Sequence, residues 1–200
     1  MSKLEIFLKE TFKDIRGAKR TNKLHDAILH DLIAAYPKYD YDNYDWDFEV
    51  NLDGDAYGGK FKIDILGKNK TTGKLVAILC KCLNSNIGKN IYNMANTTLG
   101  ETIRLLDGTN EFEKILFISV YPNKAPLFKT DGTIRGWDNI VDNYKNRINT
   151  NKSLYKYFGS IAEEVNVFYD IDDWNLKKTK SCFVSGIVPI NLTKIELKYE

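Results

Sequence analysis

Long apolar runs are missing from this sequence. No uncharged stretch approaches the ~18 residues that cross a bilayer, and the N-terminus has no signal-peptide pattern, so a cytoplasmic protein without a membrane partner is expected. Cysteine is scarce: Cys80, Cys82 and Cys182 form an odd set of three. Cys80-Lys81-Cys82 is too tight for a zinc knuckle, and no second cysteine pair or histidine nearby in the chain completes one. Reduced structural thiols are the expectation. A dominant charge is lacking as well. Lys and Arg number 29 and Asp and Glu 27, a formal net charge of +2. The molecule is therefore no polycation, and any surface for nucleic acid has to be local. Linkers, internal repeats and low-complexity blocks are also absent.

What is present suits one globular domain over residues 1–200. The hydrophobic fraction is 43% and the charged fraction 28%, enough apolar content for a sizeable core. Leu4, Phe7, Leu8, Phe12 and Ile15 recur at helical spacing over 2–16. Leu24, Ile28, Leu32 and Ala35 mark a second helix over about 23–36, which Pro37 stops. Trp46, Phe48, Val50 and Leu52 alternate with polar residues as in a strand, and "DGDAYGG" turns the chain. Strands are expected at about 60–66, 74–80, 114–122 and 166–171, and a late strand or edge at 182–190. A long helix is expected over 87–106 and another within 137–158. Residues 121–139 read as a long loop. The order is that of a mixed α/β (α+β) fold with a central sheet and flanking helices.

Asp64 is the residue out of place. It interrupts the apolar "KIDIL", so its side chain should face away from Ile63 and Ile65, with Lys62 and Leu66. A buried ionised carboxylate is costly unless it is paired or binds a metal. Lys81 closes the next strand. A hairpin reversing near 67–73 would set Asp64 opposite a residue near 76, several residues from Lys81, but a diverging pair would bring both into one cleft. Such groups suit metal-assisted phosphodiester hydrolysis: carboxylate oxygens hold Mg²⁺, and an ammonium orients water or offsets charge in the transition state. The bland alternative is an edge aspartate beside a strand-end lysine in solvent.

A helix ending "AAYPKYD", the strand "WDFEVNL", a turn, "KIDILG", then "KLVAILCK" and a long helix resemble the PD-(D/E)XK nucleases of the restriction-endonuclease-like fold, over roughly 23–120. The resemblance implies an αβββαβ core, with Asp64 as the metal-binding aspartate, Lys81 as the catalytic lysine and the Cys80 backbone carbonyl as a further ligand to Mg²⁺. It also implies DNA as substrate, a type II restriction enzyme as the favoured subtype, and a homodimer. The sequence departs from the pattern at Leu79, where the family has its second acid. That acid has moved to Glu101 or Glu49, or an inactivating substitution stands here, or the chain is a non-catalytic relative. If position 79 once held the acid, its side chain should point with Lys81 into the cleft. Glu101 has an ordinary alternative as an i, i+3 partner of Arg104. His25, Asp26, His30 and Asp31 on the second helix are candidates for supporting groups, or simply its polar stripe.

For the nucleic acid, Asn86, Lys89, Asn90, Tyr92 and Asn93 crowd a helix start, where amides and lysine can hold phosphates. Lys124, Lys129 and Arg135 lie in the 121–139 segment beside Trp137, which either enters a groove or anchors the segment to the core. The basic run at 177–180 is a further phosphate contact or a solvated turn.

Overall fold

The computed structural model describes residues 3–11, 18–83, 87–129, 134–169, 177–178 and 184–185. Helices α1 (Lys3–Thr11) and α2 (Ala18–Ala35) lead into β1 (Tyr44–Asp53), β2 (Lys60–Asn69) and β3 (Leu75–Cys82). Then come α3 (Ile87–Leu106), β4 (Phe112–Pro122), β5 (Lys124–Phe128), β6 (Ile134–Asn139), α4 (Ile140–Leu154) and β7 (Ala162–Tyr169), with short β8 (Lys177–Lys178) and β9 (Val184–Ser185). The rest of the late strand expected at 182–190 lies outside the described residues. Five strands make one mixed sheet in the order β1-β2-β3-β4-β7. The first three are antiparallel, and β4 and β7 join parallel to β3. Two parallel crossovers need helices to carry the chain back, and α3 and α4 do so.

The sheet is covered on both sides, which explains why β3 and β4 are so continuously apolar. Val76, Ile78, Cys80, Leu116, Ile118 and Val120 pack under α1 and α2. Ala77, Leu79, Ile115 and Phe117 face the other way, with Leu105 of α3 and Tyr155. The first turns of α3 belong to a third cluster, in which Ile87 and Ile91 pack with Tyr121 of β4, Ala125, Ile140 and Ile148. Among the described residues no helix is long and apolar enough to cross a membrane.

The segment 121–139 is not a loop throughout. β5 and β6 form an antiparallel hairpin with Pro126 opposite Trp137. Asn139 then caps α4, its Oδ1 accepting the Asp142 amide at 3.3 Å. Trp137 remains 43% exposed, so it is not buried as a core anchor.

The turn between β1 and β2 is tied to the end of α3. The Asp55 carboxylate accepts the Gly59 amide at 2.8 Å and pairs with the Arg104 guanidinium, which stacks on Tyr57 and Phe61. Gly54, at φ +83°, passes so close to Gly108 that a side chain on the latter would strike the Gly54 carbonyl. The Gly59 amide, then Arg104, holds the Asp55 carboxyl below its ordinary range. A depressed folded pKa stabilises above the unfolded value and is lost as pH falls through the folded one. Asp55→Asn should therefore lower Tm by a few degrees near neutrality, and the gap to wild type should begin to narrow below about pH 3.9 and close only at lower pH. A gap of constant size down to pH 2 would show that packing, not charge, holds the turn.

Candidate active site

The ladder between β2 and β3 runs from Lys68↔Leu75 to Ile65↔Ile78 and stops. Beyond it the Cys80 amide donates to Asp64 Oδ2 at 2.7 Å. A side chain thus takes the place of the missing ladder partner. This register differs from the expected one, which put Asp64 opposite a residue near 76. The strands run further into the turn than "GKNKTTG" suggested. Asn69 Oδ1 accepts the Thr71 and Thr72 amides at 2.9 and 3.0 Å, and Gly73 takes φ +73°, so the reversal is confined to 70–74. Continued by one step, the register brings Asp64 to Leu79, beside Cys80 and Lys81. The amide and carbonyl of one strand residue leave on the same edge, so the Cys80 carbonyl faces the gap that Asp64 lines.

Asp64 also sits where the pleat changes face. Ile65 packs on the α2 side, but Ile63 and Phe61 join the cluster under α3. The simple alternation expected around Asp64 is broken. β1 breaks at the same level: Trp46 packs on the α2 side and Leu52 on the other. Between them Glu49 has φ +56°, a left-handed backbone that costs a non-glycine residue about 1–2 kcal/mol. Phe48↔Ile65 and Val50↔Ile63 flank this level, so Glu49 and Asp64 are opposed across the two strands. Like charges so placed repel, and a lysine and a histidine lie against them. Lys62 pairs with Glu49 Oε2, which raises the lysine's pKa. His25 of α2 places Nδ1 3.0 Å from Glu49 Oε1 and Nε2 3.9 Å from Asp64 Oδ1. The Nδ1 contact is not aligned as a hydrogen bond, and both atoms are buried without another partner.

His25 is 1% exposed, and burial lowers its pKa against the pull of Asp64 and Glu49. The neutral imidazole is thereby favoured. Of its neighbours on α2, Asp31 caps α1 by accepting the Lys3 and Leu4 amides at 2.8 and 3.0 Å. His30 and Asp26 are exposed. Only His25 reaches the site.

Lys81 is half-buried and makes no ion pair with a described residue. Glu101 lies within its field. Burial raises the Glu101 carboxyl above its ordinary 4.5, Lys81 opposes this, and Asp64 adds to it. The expected pairing of Glu101 with Arg104 gives way to Arg104 with Asp55. The place of Glu101 far along α3 is no obstacle, because its carboxyl feels both Lys81 and Asp64. A raised carboxyl pKa destabilises the fold as pH rises from the unfolded value through the folded one. Glu101→Gln should then raise Tm near pH 7 and leave it unchanged near pH 4. Loss of activity in the same variant would mark a group kept for function at a cost in stability. No Tm gain at pH 7 would show that the carboxylate is adequately solvated. Leu79, in contrast, is 3% exposed and belongs to the core under α3 with Ile63, Phe117 and Leu105.

The groups expected to meet nucleic acid are spread over α3 and the hairpin. Tyr92 is 51% exposed, and the Arg147 guanidinium lies 3.4 Å over its ring. Asn93, Lys129 and Arg135 are exposed, while Asn90 is partly buried. Asn86, the Lys89 side chain and residues 179–180 of the basic run lie outside the described residues. Sequence reasoning gave Lys62 no role and could not pair His25 with Glu49. The only signal was a histidine at a buried helical position. No family model, no curated protein and no solved structure matches the chain.

Proposed function

We propose that this chain is a metal-dependent endonuclease of the restriction-endonuclease-like fold that hydrolyses DNA phosphodiester bonds, with a type II restriction enzyme as the favoured subtype. The observation that carries the reading is the gap where β2 leaves β3. There Asp64 takes the Cys80 amide, the Cys80 carbonyl faces the same space, and Lys81 follows. The element order α2, β1, β2, β3, α3, β4 agrees with the αβββαβ core that the resemblance implies.

The oxygen set fits a divalent cation. Asp64 offers a carboxylate and Cys80 a carbonyl, and Mg²⁺ takes few protein oxygens, completing its shell with water and substrate phosphate. A cation so held supplies an activated water and offsets charge on the phosphate. The chain's own groups do the rest. Glu49, opposed to Asp64 across β1 and β2, and Glu101, whose carboxyl feels Asp64, are the candidate acids to assist it. Lys81, with no carboxylate of its own among the described residues, is free to meet a phosphate or its attacking water. Lys62 offsets the charge of Glu49 beside Asp64. Tyr92, Asn93, Lys129 and Arg135 would contact the duplex, whose presence implies a cytoplasmic location.

Leu79 favours one second reading, a DNA-binding relative without catalysis, since a core leucine occupies the position of the family's acid. Incubating supercoiled plasmid with the protein and Mg²⁺ or Mn²⁺ separates the two. Discrete, sequence-mapped fragments support the restriction enzyme; nicks without sequence preference support a repair or junction nuclease. Retained binding with no cleavage under either ion supports the silent relative. A restriction enzyme cutting both strands at a palindrome should sediment as a two-fold dimer with DNA.

A further inference from the structure

We propose that the gap between β2 and β3 is a mixed-donor site for Zn²⁺, held by His25 Nε2, an Asp64 oxygen and the Cys80 sulfur, with one position left open. This rests on reading the gap as an ion site, but not on the reaction performed there.

One donor atom from each of the three residues lies within 4.8 Å of the other two. They come from three elements, α2, β2 and β3, so the grouping is made by the fold and not by sequence neighbours. The set is nitrogen, oxygen and sulfur. Mg²⁺ prefers oxygen alone, whereas imidazole and thiolate select ions of the zinc class. Three protein ligands with an open fourth position are the composition of catalytic rather than structural zinc sites.

The second observation is the state of His25. Its ring is 1% exposed, yet Nδ1 and the facing Glu49 Oε1 are both buried without a hydrogen-bond partner. Such orphaned pairs are rare and need an explanation. Metal-bound histidines characteristically give their other ring nitrogen to a carboxylate, which fixes the tautomer. Glu49, 3.0 Å from Nδ1, stands where that carboxylate belongs. A small turn of the imidazole would align Nδ1–H with Glu49 and leave the Nε2 lone pair for the ion. The left-handed backbone at Glu49 gains a purpose, since it delivers the carboxylate to this position. Binding replaces the Cys80 S–H bond by an S–Zn bond and releases the proton to solvent.

The test uses the whole chain, stripped by a chelator, with Co²⁺ as spectroscopic probe and Zn²⁺ as competitor. The expected result is one Co²⁺ per chain, with a near-ultraviolet thiolate-to-cobalt band and visible bands of a four-coordinate ion. Zn²⁺ should bleach them, and a large excess of Mg²⁺ should not. Cys80→Ser should lose the thiolate band, and Cys82→Ser should keep it. Glu49→Gln should weaken binding about 10–100-fold, and His25→Gln, which removes a ligand outright, should weaken it more. Variants are compared only where their circular dichroism matches wild type. The wild-type spectrum decides on its own: no thiolate band, or bleaching by Mg²⁺ as readily as by Zn²⁺, overturns the proposal. A band retained in folded Cys80→Ser also overturns it. Co²⁺ binding with the band but no cleavage of DNA under any ion would sink the nuclease reading and leave this one standing. Mg²⁺-supported cleavage without the band would do the reverse.

Discussion

Asp64→Asn should lose DNA cleavage by about a thousandfold or more and keep DNA binding within a few fold. The side chain accepts the Cys80 amide where β2 leaves β3 and is none of the exposed groups proposed to meet DNA, so its loss takes little from the duplex interface. A cation at a phosphoryl centre stabilises several kcal/mol of transition-state charge, and each 1.36 kcal/mol is a factor of ten in rate. Asparagine keeps an oxygen that can accept the Cys80 amide, so the strand junction survives and Tm should move little. Asp64→Ala removes the acceptor as well and leaves that amide without a partner, at a cost of about 1–3 kcal/mol. Comparing the two variants separates the structural role of Asp64 from its chemical one. Cleavage by Asp64→Asn within tenfold of wild type would remove Asp64 from the reaction.

The fold was legible where local pattern and burial agree. The apolar stripe of α3 placed that helix at 87–106, as observed, and the unbroken apolar run of β4 marked a strand covered on both sides. The hairpin of β5 and β6 was not legible. Pro126 and Gly136 read as loop residues, but Pro126 lies in a two-stranded sheet, where proline is tolerated at an edge. Asp64 was conspicuous because it is a carboxylate set between the apolar Ile63 and Ile65. Its register was not, because one side-chain turn at Asn69 moved the reversal by a few positions. The partnership of His25 with Glu49 and Asp64 could not be read at all. It depends on α2 crossing the sheet at one level and on a left-handed residue in the middle of β1, and neither leaves a periodic trace.

Leu79→Glu, the change that would complete the family's pattern, should damage the protein instead of activating it. Position 79 shares its face with Lys81, yet the leucine is 3% exposed in the cluster of Ile63, Phe117 and Leu105. Lys81 lies at the open end of β3, while residue 79 lies one step inside, under α3. A glutamate there would be ionised in an apolar core, which costs several kcal/mol, a large share of the roughly 5–15 kcal/mol of a typical domain. The carboxyl would respond by holding its proton, so its folded pKa would rise above the unfolded value of about 4.3. Stability from such a group falls as pH rises through that window. The Tm deficit against wild type should be smallest near pH 4 and grow toward pH 8. Leu79→Met, which conserves volume, should cost less than about 1.5 kcal/mol and show no such pH dependence. Melting curves of the three proteins across that range, with plasmid cleavage measured alongside, decide the matter. A folded Leu79→Glu with a wild-type Tm at pH 8 and new Mg²⁺-dependent cleavage would show that the side chain turns out to the gap, and that the acid lost from this position was the one the site lacked.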